Sequence, residues 1–193
     1  MRQGPLDTLA AWIDEARAAG VRNPDAMALA TVGPDGAPSN RFVLCRGLDE
    51  RGPVFYTSYE SQKGRELEAH PRAAAVFYWE ALERQVRVTG PVERVTREES
   101  DAYFRSRPRG NRLAAWVSTQ SVVVDARQEL EDRFAELERA HEGREVELPP
   151  WWGGFRLHAD VVELWWGRRD RLHERSRFVR LAGGGWREEL LSP

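Results

Sequence analysis

The chain has 193 residues, 41% of them hydrophobic, which is enough for one domain with a sizeable core. Its 29 Lys and Arg residues against 31 Asp and Glu give a formal net charge of −2, which excludes a general electrostatic attraction to nucleic acid or anionic membranes. The single cysteine, Cys45, excludes an internal disulfide and any metal site built from several cysteines.

The N-terminal segment predicts an amphipathic helix over residues 6–19, because apolar residues recur at helical spacing from Leu6 to Ala16 and Gly20 follows. Acidic residues interrupt this segment where a signal peptide needs an unbroken apolar stretch. No window of the chain has the roughly 18 apolar residues of a membrane span. A soluble, cytoplasmic protein is therefore expected.

After this helix the pattern changes to short strand-like runs separated by turn sequences such as PDGAP and DERGP. The predicted strands in this part are residues 26–33, 41–48, 53–58, 73–79 and 84–95. Short loops between consecutive strands favour antiparallel neighbours, as in a meander or a barrel.

Three further helices are predicted among and after these strands. One covers about 61–69 with Ser61 as its N-cap, and another covers about 97–105, where TREE is a capping box. A longer charged helix runs from about 126 to 141. The strand pattern then returns at residues 155–166, 177–182 and 186–191, with the triglycine 183–185 as a hairpin turn.

This order of elements predicts one domain over residues 1–193 that is mainly β with peripheral α-helices. Residues 1–24 form the N-terminal helix and lead-in, and residues 25–193 form an antiparallel barrel that is closed or partly closed.

The stretch RFVLCR places an arginine at each end of four apolar residues, a pattern typical of a buried strand with a cation at each end. Arg41 and Arg46 have opposite parity, so in a regular strand they point to opposite faces. They then serve two separate anions or a site between subunits. For either arginine alone, a surface ion pair is the alternative.

Lys63 is the only lysine of the chain and lies in the first turn of a predicted helix, beside Gln62. A lysine there opposes the helix dipole, whereas free N–H groups at a helix start favour a bound phosphate. A solvated lysine on an ordinary capped helix is the alternative interpretation.

Three other stretches carry candidate chemistry. YFRSRPRGNR (103–112) gathers four arginines at a proline turn, which suits a phosphate, a nucleic-acid patch or a plain solvated loop. Gln85 could hydrogen-bond the edge of a planar heterocycle. Arg171, His173 and Arg175 alternate, so they would share one face of a strand. The four histidines show no metal-ligand spacing, and no metal site is predicted.

Taken together and in this order, the segments resemble the pyridoxamine 5′-phosphate oxidase family. The matching segments, which cover nearly everything from residue 25 to 193, are AMALATV, RFVLCR, VFYTSYESQKG, ERQVRVTGPVERV, YFRSRPRGN, AAWVSTQS, WWGGFRL, VVELWWG and RLHER. The resemblance implies an FMN-binding split barrel that works as a homodimer with two sites at the subunit interface. It also implies hydride transfer from the substrate to the flavin, dioxygen as acceptor, and hydrogen peroxide and pyridoxal 5′-phosphate as products.

The resemblance further implies roles for single residues. The implied FMN-binding residues are Arg41, Phe42, Val43, Leu44, Tyr56, Thr57, Gln62, Lys63, Gln85, Gln120, Ser121, Trp165 and Arg175. The implied binding residues for a small phosphorylated pyridine substrate are Arg46, Tyr103, Arg107, Asn111, Arg171 and His173. Arg171 and His173 are also the candidate catalytic residues, and they would mainly position the substrate.

Four features depart from the family's pattern. Arg46 stands where lysine is usual, Gln62 where arginine is usual, and Asn111 where serine is usual. The chain also begins close to its first helix, so the N-terminal segment that helps close many family sites is expected to be missing.

Gln62 and the short N-terminus are similar to the phenazine-biosynthesis FMN oxidases, which act on a dihydrophenazine carboxylic acid. The YFRSRPR motif favours a vitamin B6 substrate instead, because a phenazine precursor carries no phosphate. A non-catalytic flavin, haem or deazaflavin binder on the same barrel is a third alternative. The presence of both phosphate motifs argues against it.

Overall fold

The computed structural model describes residues 4–193, which form a curled antiparallel sheet with α-helices at its periphery. The strands are β1 Ala26–Val32, β2 Pro38–Leu44, β3 Gly47–Leu48, β4 Pro53–Ser58, β5 Arg72–Trp79, β6 Arg84–Arg94, β7 Trp152–Leu157, β8 Val161–Trp166, β9 Glu174–Arg180 and β10 Trp186–Leu190. The helices are α1 Pro5–Ala18, α2 Gln62–Ala69, α3 Arg97–Ser106, α4 Arg109–Val117 and α5 Arg127–Ala140. The mainly β class with peripheral helices is confirmed. Within the described residues, no helix has the length and apolar character that crossing a membrane requires.

The long strand β6 explains why the sheet curls. Its residues 84–89 pair with β8, and its residues 92–94 pair with β7, so one strand belongs to two differently oriented parts of the sheet. One part has the order β10-β9-β8-β6-β5-β1-β2, and the other continues from β7 to β4 and β3. Among the described strands, β2 and β4 share no ladder, which leaves the barrel split between them. The predicted antiparallel, partly closed barrel is confirmed.

Two hydrophobic clusters hold this arrangement together. The larger one lies between the sheet and α1, where the Trp12 ring packs edge-on against Trp166 at 4.8 Å and Trp79 at 6.4 Å. The second cluster joins α3 and α4 to β7 through Phe104, Leu113 and their neighbours. It fixes α3 and α4 beside the split in the barrel.

Local signals are confirmed at several element ends. Ser61 caps α2, with its Oγ accepting a hydrogen bond from the Gly64 amide at 3.2 Å. The capping box predicted for TREE opens α3. The triglycine turn is also confirmed, with positive φ at Gly184 and Gly185.

The strand predicted over 41–48 is wrong at both ends, because β2 begins at Pro38 and ends at Leu44. The Cys45 amide donates to the Asp25 carbonyl, and the Arg46 amide donates to the Val54 carbonyl, each at 2.8 Å. The backbone therefore leaves the β1 ladder and turns towards β4. β2 is also an edge strand rather than a buried one, and its Phe42 is 78% exposed.

Two predictions for the C-terminal part are also wrong. The run 155–166 is two strands, β7 and β8, because the chain reverses direction at 158–160. Arg171 and His173 do not share a strand face with Arg175, because 169–171 is a 3₁₀ turn and β9 begins only at Glu174.

Helix α4 was not predicted, because its first residues RGN read as part of a turn.

Candidate active site

A cavity of about 370 Å³ opens at the split in the barrel, between β2, β4 and the α3–α4 pair. Its lining residues are Arg41, Phe42, Val43, Leu44, Arg46, Tyr56, Thr57, Lys63, Tyr103, Arg107, Asn111, Gln120 and Trp152. Twelve of these thirteen are among the site residues that the family resemblance implies. Only Trp152 is missed, although it lies in the quoted segment WWGGFRL.

Lys63 lies at one end of this cavity, in the first turn of α2, and is only 7% exposed. Its Nζ donates to Gln120 Oε1 at 3.0 Å, to Thr57 Oγ1 at 3.1 Å and to Ser61 Oγ at 3.3 Å. Burial and, to a lesser extent, the Arg41 charge lower the pKa of Lys63 to about 8, against an opposing effect of Glu66. A buried ammonium group whose contacts are neutral oxygens is a suitable site for an anion.

Arg41 lies beside Lys63 and faces the same end of the cavity from β2. Its Nη2 lies 3.1 Å from Glu66 Oε2, and its guanidinium also donates to the hydroxyls of Thr31 and Ser39. Burial opposes ionisation of Glu66, but hydrogen bonds from these hydroxyls, from Gln62 and from Arg41 outweigh it and lower its pKa to about 2. Glu66 is therefore a permanently charged group beneath Arg41.

Gln62 is placed away from the cavity, which differs from its predicted role at a phosphate. Its side chain is exposed, and its Nε2 donates to Glu66 Oε1 at 2.8 Å, one helical turn further along α2. The first turn of α2 thus directs one cation, Lys63, into the cavity.

A third cation, Arg107, lines the same cavity. It lies between α3 and α4, and its Nη1 is buried. Among residues 4–193, this Nη1 has no hydrogen-bond partner. The guanidinium lies 4.7 Å from the Trp152 ring and 5.7 Å from the Phe104 ring. Burial lowers the pKa of Arg107, as expected for a cation without a counter-ion. An unpaired buried donor is costly and indicates an anionic ligand.

Parallel aromatic rings form a wall of the cavity. Tyr56 and Tyr103 stack at 3.9 Å, and Trp152 lies parallel to both, at 5.7 and 6.2 Å. Gly154 of β7 is opposite Tyr56 in the ladder, and a Cβ there would approach the Tyr56 ring to 2.7 Å. The glycine therefore allows this wall to form beside β7.

The two arginines of RFVLCR line the same cavity, so the prediction that they face opposite sides is wrong. The parity argument fails because the strand ends at Leu44, before Arg46. Arg46 is anchored by Asp25, whose Oδ2 accepts from its Nη1 at 2.8 Å. Asn111, in the first turn of α4, also reaches the cavity.

Two other arginines of YFRSRPRGNR, Arg105 and Arg109, have separate partners and do not form one basic patch with Arg107. Arg109 donates to the backbone carbonyl of Arg144 at 2.8 Å, and Arg105 pairs with Asp101 at 2.9 Å. Pro108 is the N-cap of α4, so the predicted turn is the junction of two helices.

A second group of predicted site residues lies elsewhere on the sheet and does not line this cavity. Gln85, Trp165 and Arg175 are neighbours in register across β6, β8 and β9. The His173 ring lies 4.7 Å from Trp165. Arg175 Nε donates to Glu163 Oε1 at 2.9 Å, and Glu163 is a buried carboxylate that sequence reasoning missed.

The turn before β9 holds Arg171 in an unusual backbone conformation. Asp170 and Arg171 have φ of 57° and 61°, a left-handed pair that costs about 1–3 kcal/mol per residue. Strain of this kind clusters at functional sites. The Nδ1 of His173 accepts from the Arg168 amide at 3.1 Å, which leaves Nε2 to carry the proton of the neutral ring. Ser121 is exposed, has φ of 70°, and does not line the cavity.

Comparison with protein families decides the classification. Residues 13–140 match the family model described as pyridoxamine 5′-phosphate oxidase. The chain belongs to the pyridoxamine 5′-phosphate oxidase family. Residues 152–193 match a second model, described as the pyridoxine 5′-phosphate oxidase C-terminal dimerisation region. The chain is therefore an oxidoreductase of a flavoprotein family.

Individual relatives agree with this family. The chain is 54% identical to a pyridoxine/pyridoxamine 5′-phosphate oxidase of Rubrobacter xylanophilus, over 98% of this chain and 87% of the relative. It is 52% identical to the protein of the same name from Synechocystis, over 94% and 85%. Among solved structures, it is similar to PhzG from Burkholderia lata in complex with tetrahydrophenazine-1-carboxylic acid, with a TM-score of 0.92 and 33% identity over 98% and 93%.

Proposed function

We propose that this chain is an FMN-dependent oxidase that converts pyridoxamine 5′-phosphate and pyridoxine 5′-phosphate to pyridoxal 5′-phosphate. Dioxygen would be the electron acceptor and hydrogen peroxide the second product. The observation that carries the proposal is the buried, unpaired Nη1 of Arg107, in a cavity that also holds Arg41 and Lys63. Two cationic groups suit two phosphates, one on the cofactor and one on the substrate. Relatives at 50–54% identity bear this enzyme name.

The residues around Lys63 fit the phosphate of FMN. Lys63 offers a buried ammonium, Arg41 a second fixed charge, and Thr57 and Gln120 polar atoms beside them. Phe42, Val43 and Leu44 of β2 would form the wall along the cofactor. FMN, when bound, supplies the acceptor for the hydride that leaves the substrate carbon.

The residues around Arg107 fit the substrate. Arg107 and Arg46 would hold its phosphate, with Tyr103 and Asn111 completing the contacts. The parallel rings of Tyr56, Tyr103 and Trp152 line this end of the cavity and would shield a bound substrate from water. Fixing the phosphate here orients the reacting carbon, which is the main contribution that positioned side chains can make to the rate.

We propose that the second residue group completes the site of a partner subunit in a homodimer. Trp165, Arg171, His173 and Arg175 all lie within the region matched as a dimerisation region, and none lines its own protomer's cavity. Trp165, Arg175, Gln85 and Ser121 would contact FMN of the partner site. Arg171 and His173 would cover the substrate and act as its positioning and catalytic residues.

Subunit complementation tests this sharing. At substrate concentrations well below the wild-type KM, Arg107→Met and Arg175→Met are each expected to leave their own homodimer with little activity. Random mixing of the two chains puts both defects in one site of each heterodimer and leaves the other site intact, so about a quarter of the wild-type activity should return. Co-expression with two different affinity tags and an oxidase assay measure it. No recovery from verified heterodimers would place each whole site within a single chain.

The whole chain is proposed to work as one domain. Strand β6, from the first matched region, pairs with β7 and β8 from the second. The sheet is continuous across both regions, so neither has a complete sheet without the other. The cytoplasmic location expected from the sequence stays a prediction.

A phenazine-type substrate is the second candidate function. The similarity to PhzG, with a TM-score of 0.92, favours it. The unpaired donor of Arg107 suits either substrate, because arginine binds both a phosphate and the carboxylate of a dihydrophenazine carboxylic acid. The relatives at 50–54% identity, named pyridoxine/pyridoxamine 5′-phosphate oxidases, favour the phosphorylated substrate.

Anaerobic reduction of bound flavin with a small substrate panel tests the proposed function. The purified protein should be yellow and should release FMN on denaturation. Pyridoxamine and pyridoxine 5′-phosphates should bleach the flavin, and the unphosphorylated vitamers should do so far more slowly. Bleaching by a dihydrophenazine acid alone would favour the second candidate. If no member of the panel reduces the flavin, the non-catalytic binder is favoured.

The affinity of the FMN-free protein for FMN should fall as the pH rises through about 8. Lys63 loses its proton near that pH in the unliganded protein, whereas a bound phosphate stabilises the ammonium form. Binding then requires proton uptake, and the affinity falls by up to about tenfold per pH unit. Quenching of flavin fluorescence measures it, with riboflavin, which lacks the phosphate, as the control. Parallel FMN and riboflavin curves would contradict the placement of the phosphate at Lys63.

A further inference from the structure

The carboxylate of Glu66 contacts Arg41, one of the two cations at the Lys63 end of the cavity. Its Oε2 is 3.1 Å from Arg41 Nη2, yet Glu66 is only 5% exposed and does not line the cavity. A ligand in the cavity would therefore meet Arg41 and Lys63, while Glu66 contacts Arg41 from the protein side.

The network around Arg41 holds both terminal nitrogens of its guanidinium. Nη1 donates to the Leu29 carbonyl at 3.3 Å and to the Thr31 hydroxyl. Nη2 donates to the Ser39 hydroxyl and to Glu66. The same two hydroxyls donate to Glu66 Oε2, at 2.5 Å from Thr31 and 2.7 Å from Ser39. Because an arginine side chain carries about 2 kcal/mol of rotamer entropy, fixing it before the ligand arrives improves binding.

Glu66 also affects Lys63, which lies three residues before it on α2. Its ammonium contacts neutral oxygens only, so its local charge balance depends on Arg41 and Glu66. Arg41 repels the ammonium and Glu66 attracts it. Other charged or titratable groups of the same cavity are Arg46, Tyr56, Tyr103 and Arg107. None of these four adds negative charge at neutral pH, and Arg46 and Arg107 add positive charge.

We propose that Glu66 is a positioning residue of the phosphate site: it fixes Arg41 and supplies the negative charge that lets Lys63 keep its proton beside Arg41. This inference rests on the proposed binding of FMN at the Lys63 end. Gln62 belongs to the same unit, because its amide donates to Glu66 rather than to the cavity.

The test compares the affinities of FMN-free protein for FMN and for riboflavin between about pH 7 and pH 9.5. The ratio of the two isolates the phosphate site from the rest of the flavin contacts. In Glu66→Gln, we expect the FMN preference to decline with a midpoint about one pH unit below that of the wild type. At about pH 8.5 this lowers the preference about tenfold, while riboflavin affinity is unchanged. A merely structural role would weaken both flavins together.

Glu68→Gln is the matched control, since Glu68 is an exposed carboxylate of the same helix that pairs with Arg94 at 2.8 Å. It should behave as the wild type. A Glu66→Gln profile that coincides with the wild type, or tighter FMN binding at every pH, would overturn the inference. A wild type without any preference for FMN over riboflavin would instead overturn the proposed function.

Ser39→Ala tests how well Arg41 is held in place, separately from the negative charge that Glu66 supplies to Lys63. It removes a hydroxyl that contacts both Arg41 and Glu66 but keeps the carboxylate charge. The FMN preference should fall severalfold with no change in the pH midpoint. If Glu66→Gln does not fold, an unchanged FMN preference in Ser39→Ala overturns the inference.

Discussion

Arg107→Met should lower kcat/KM for pyridoxamine 5′-phosphate by about 30- to 1000-fold, because removing a buried charge that pairs with an anionic ligand costs about 2–4 kcal/mol. The interaction with the phosphate is the same before and during the reaction, so most of the loss should appear in KM. FMN affinity should stay within about twofold of the wild type, because the FMN phosphate is assigned to other residues. Steady-state kinetics and a flavin titration measure the two quantities.

Arg105→Met is the control for this variant. Arg105 lies in the last turn of α3, just before the C-cap Arg107, but is exposed and pairs with Asp101 on the surface. Its loss should leave KM unchanged. Residual activity towards unphosphorylated pyridoxamine should be equal in the wild type and in Arg107→Met. A normal KM for the phosphorylated substrate in Arg107→Met would show that the unpaired buried donor has another purpose.

Lys63→Met should weaken FMN binding by about 30- to 1000-fold, because it removes the buried ammonium that would face the cofactor phosphate. Binding of riboflavin should change little. The substitution keeps a flexible side chain of similar length in the buried position, so the fold should be retained. Flavin fluorescence titration of the FMN-free protein measures both affinities.

The same variant should not lower the stability of the FMN-free protein. The folded-state pKa of Lys63, about 8, lies below its ordinary value of 10.5, so the unfolded chain binds the proton more tightly. This group therefore opposes folding at neutral pH, and stability of the wild type rises as pH increases from about 8 to about 10.5. In Lys63→Met, that part of the rise should disappear.

Thermal melts across this pH range test the stability prediction, with Arg65→Met as the control. Arg65 is an exposed cation two residues further along α2. Its loss should leave both the FMN affinity and the pH dependence of melting unchanged. A Lys63→Met protein that melts well below the wild type, or that binds FMN normally, would contradict the assignment.

Local sequence signals predicted the elements whose ends depend on nearby residues. The N-cap Ser61 and the capping box before α3 fixed two helix starts, and β4 was predicted over its full range. Lys63 was singled out because a lysine opposes the dipole in a first helical turn. The structure places it in the cavity with Arg41 and Arg107.

Tertiary contacts decided what the sequence could not predict. The end of β2 depends on backbone hydrogen bonds to Asp25 and Val54, which lie on other segments. Arg171 lies outside the expected strand because residues 170 and 171 form a left-handed turn. Neither residue is a glycine, so the sequence gives no signal for this turn. In the sequence, Glu66 cannot be told from a solvated charge on a helix, and only the fold shows that it is buried and paired with Arg41, 25 positions earlier.

A crystal structure with both FMN and pyridoxal 5′-phosphate bound tests the central claim most directly. We expect the FMN phosphate to contact Lys63 and Arg41, and the phosphate of the aldehyde to contact Arg107 of the same protomer. Trp165 and His173 of the other subunit should complete each site. The account would be contradicted if the FMN phosphate lay away from Lys63, or if Arg107 kept an unpaired Nη1 with the second ligand in place.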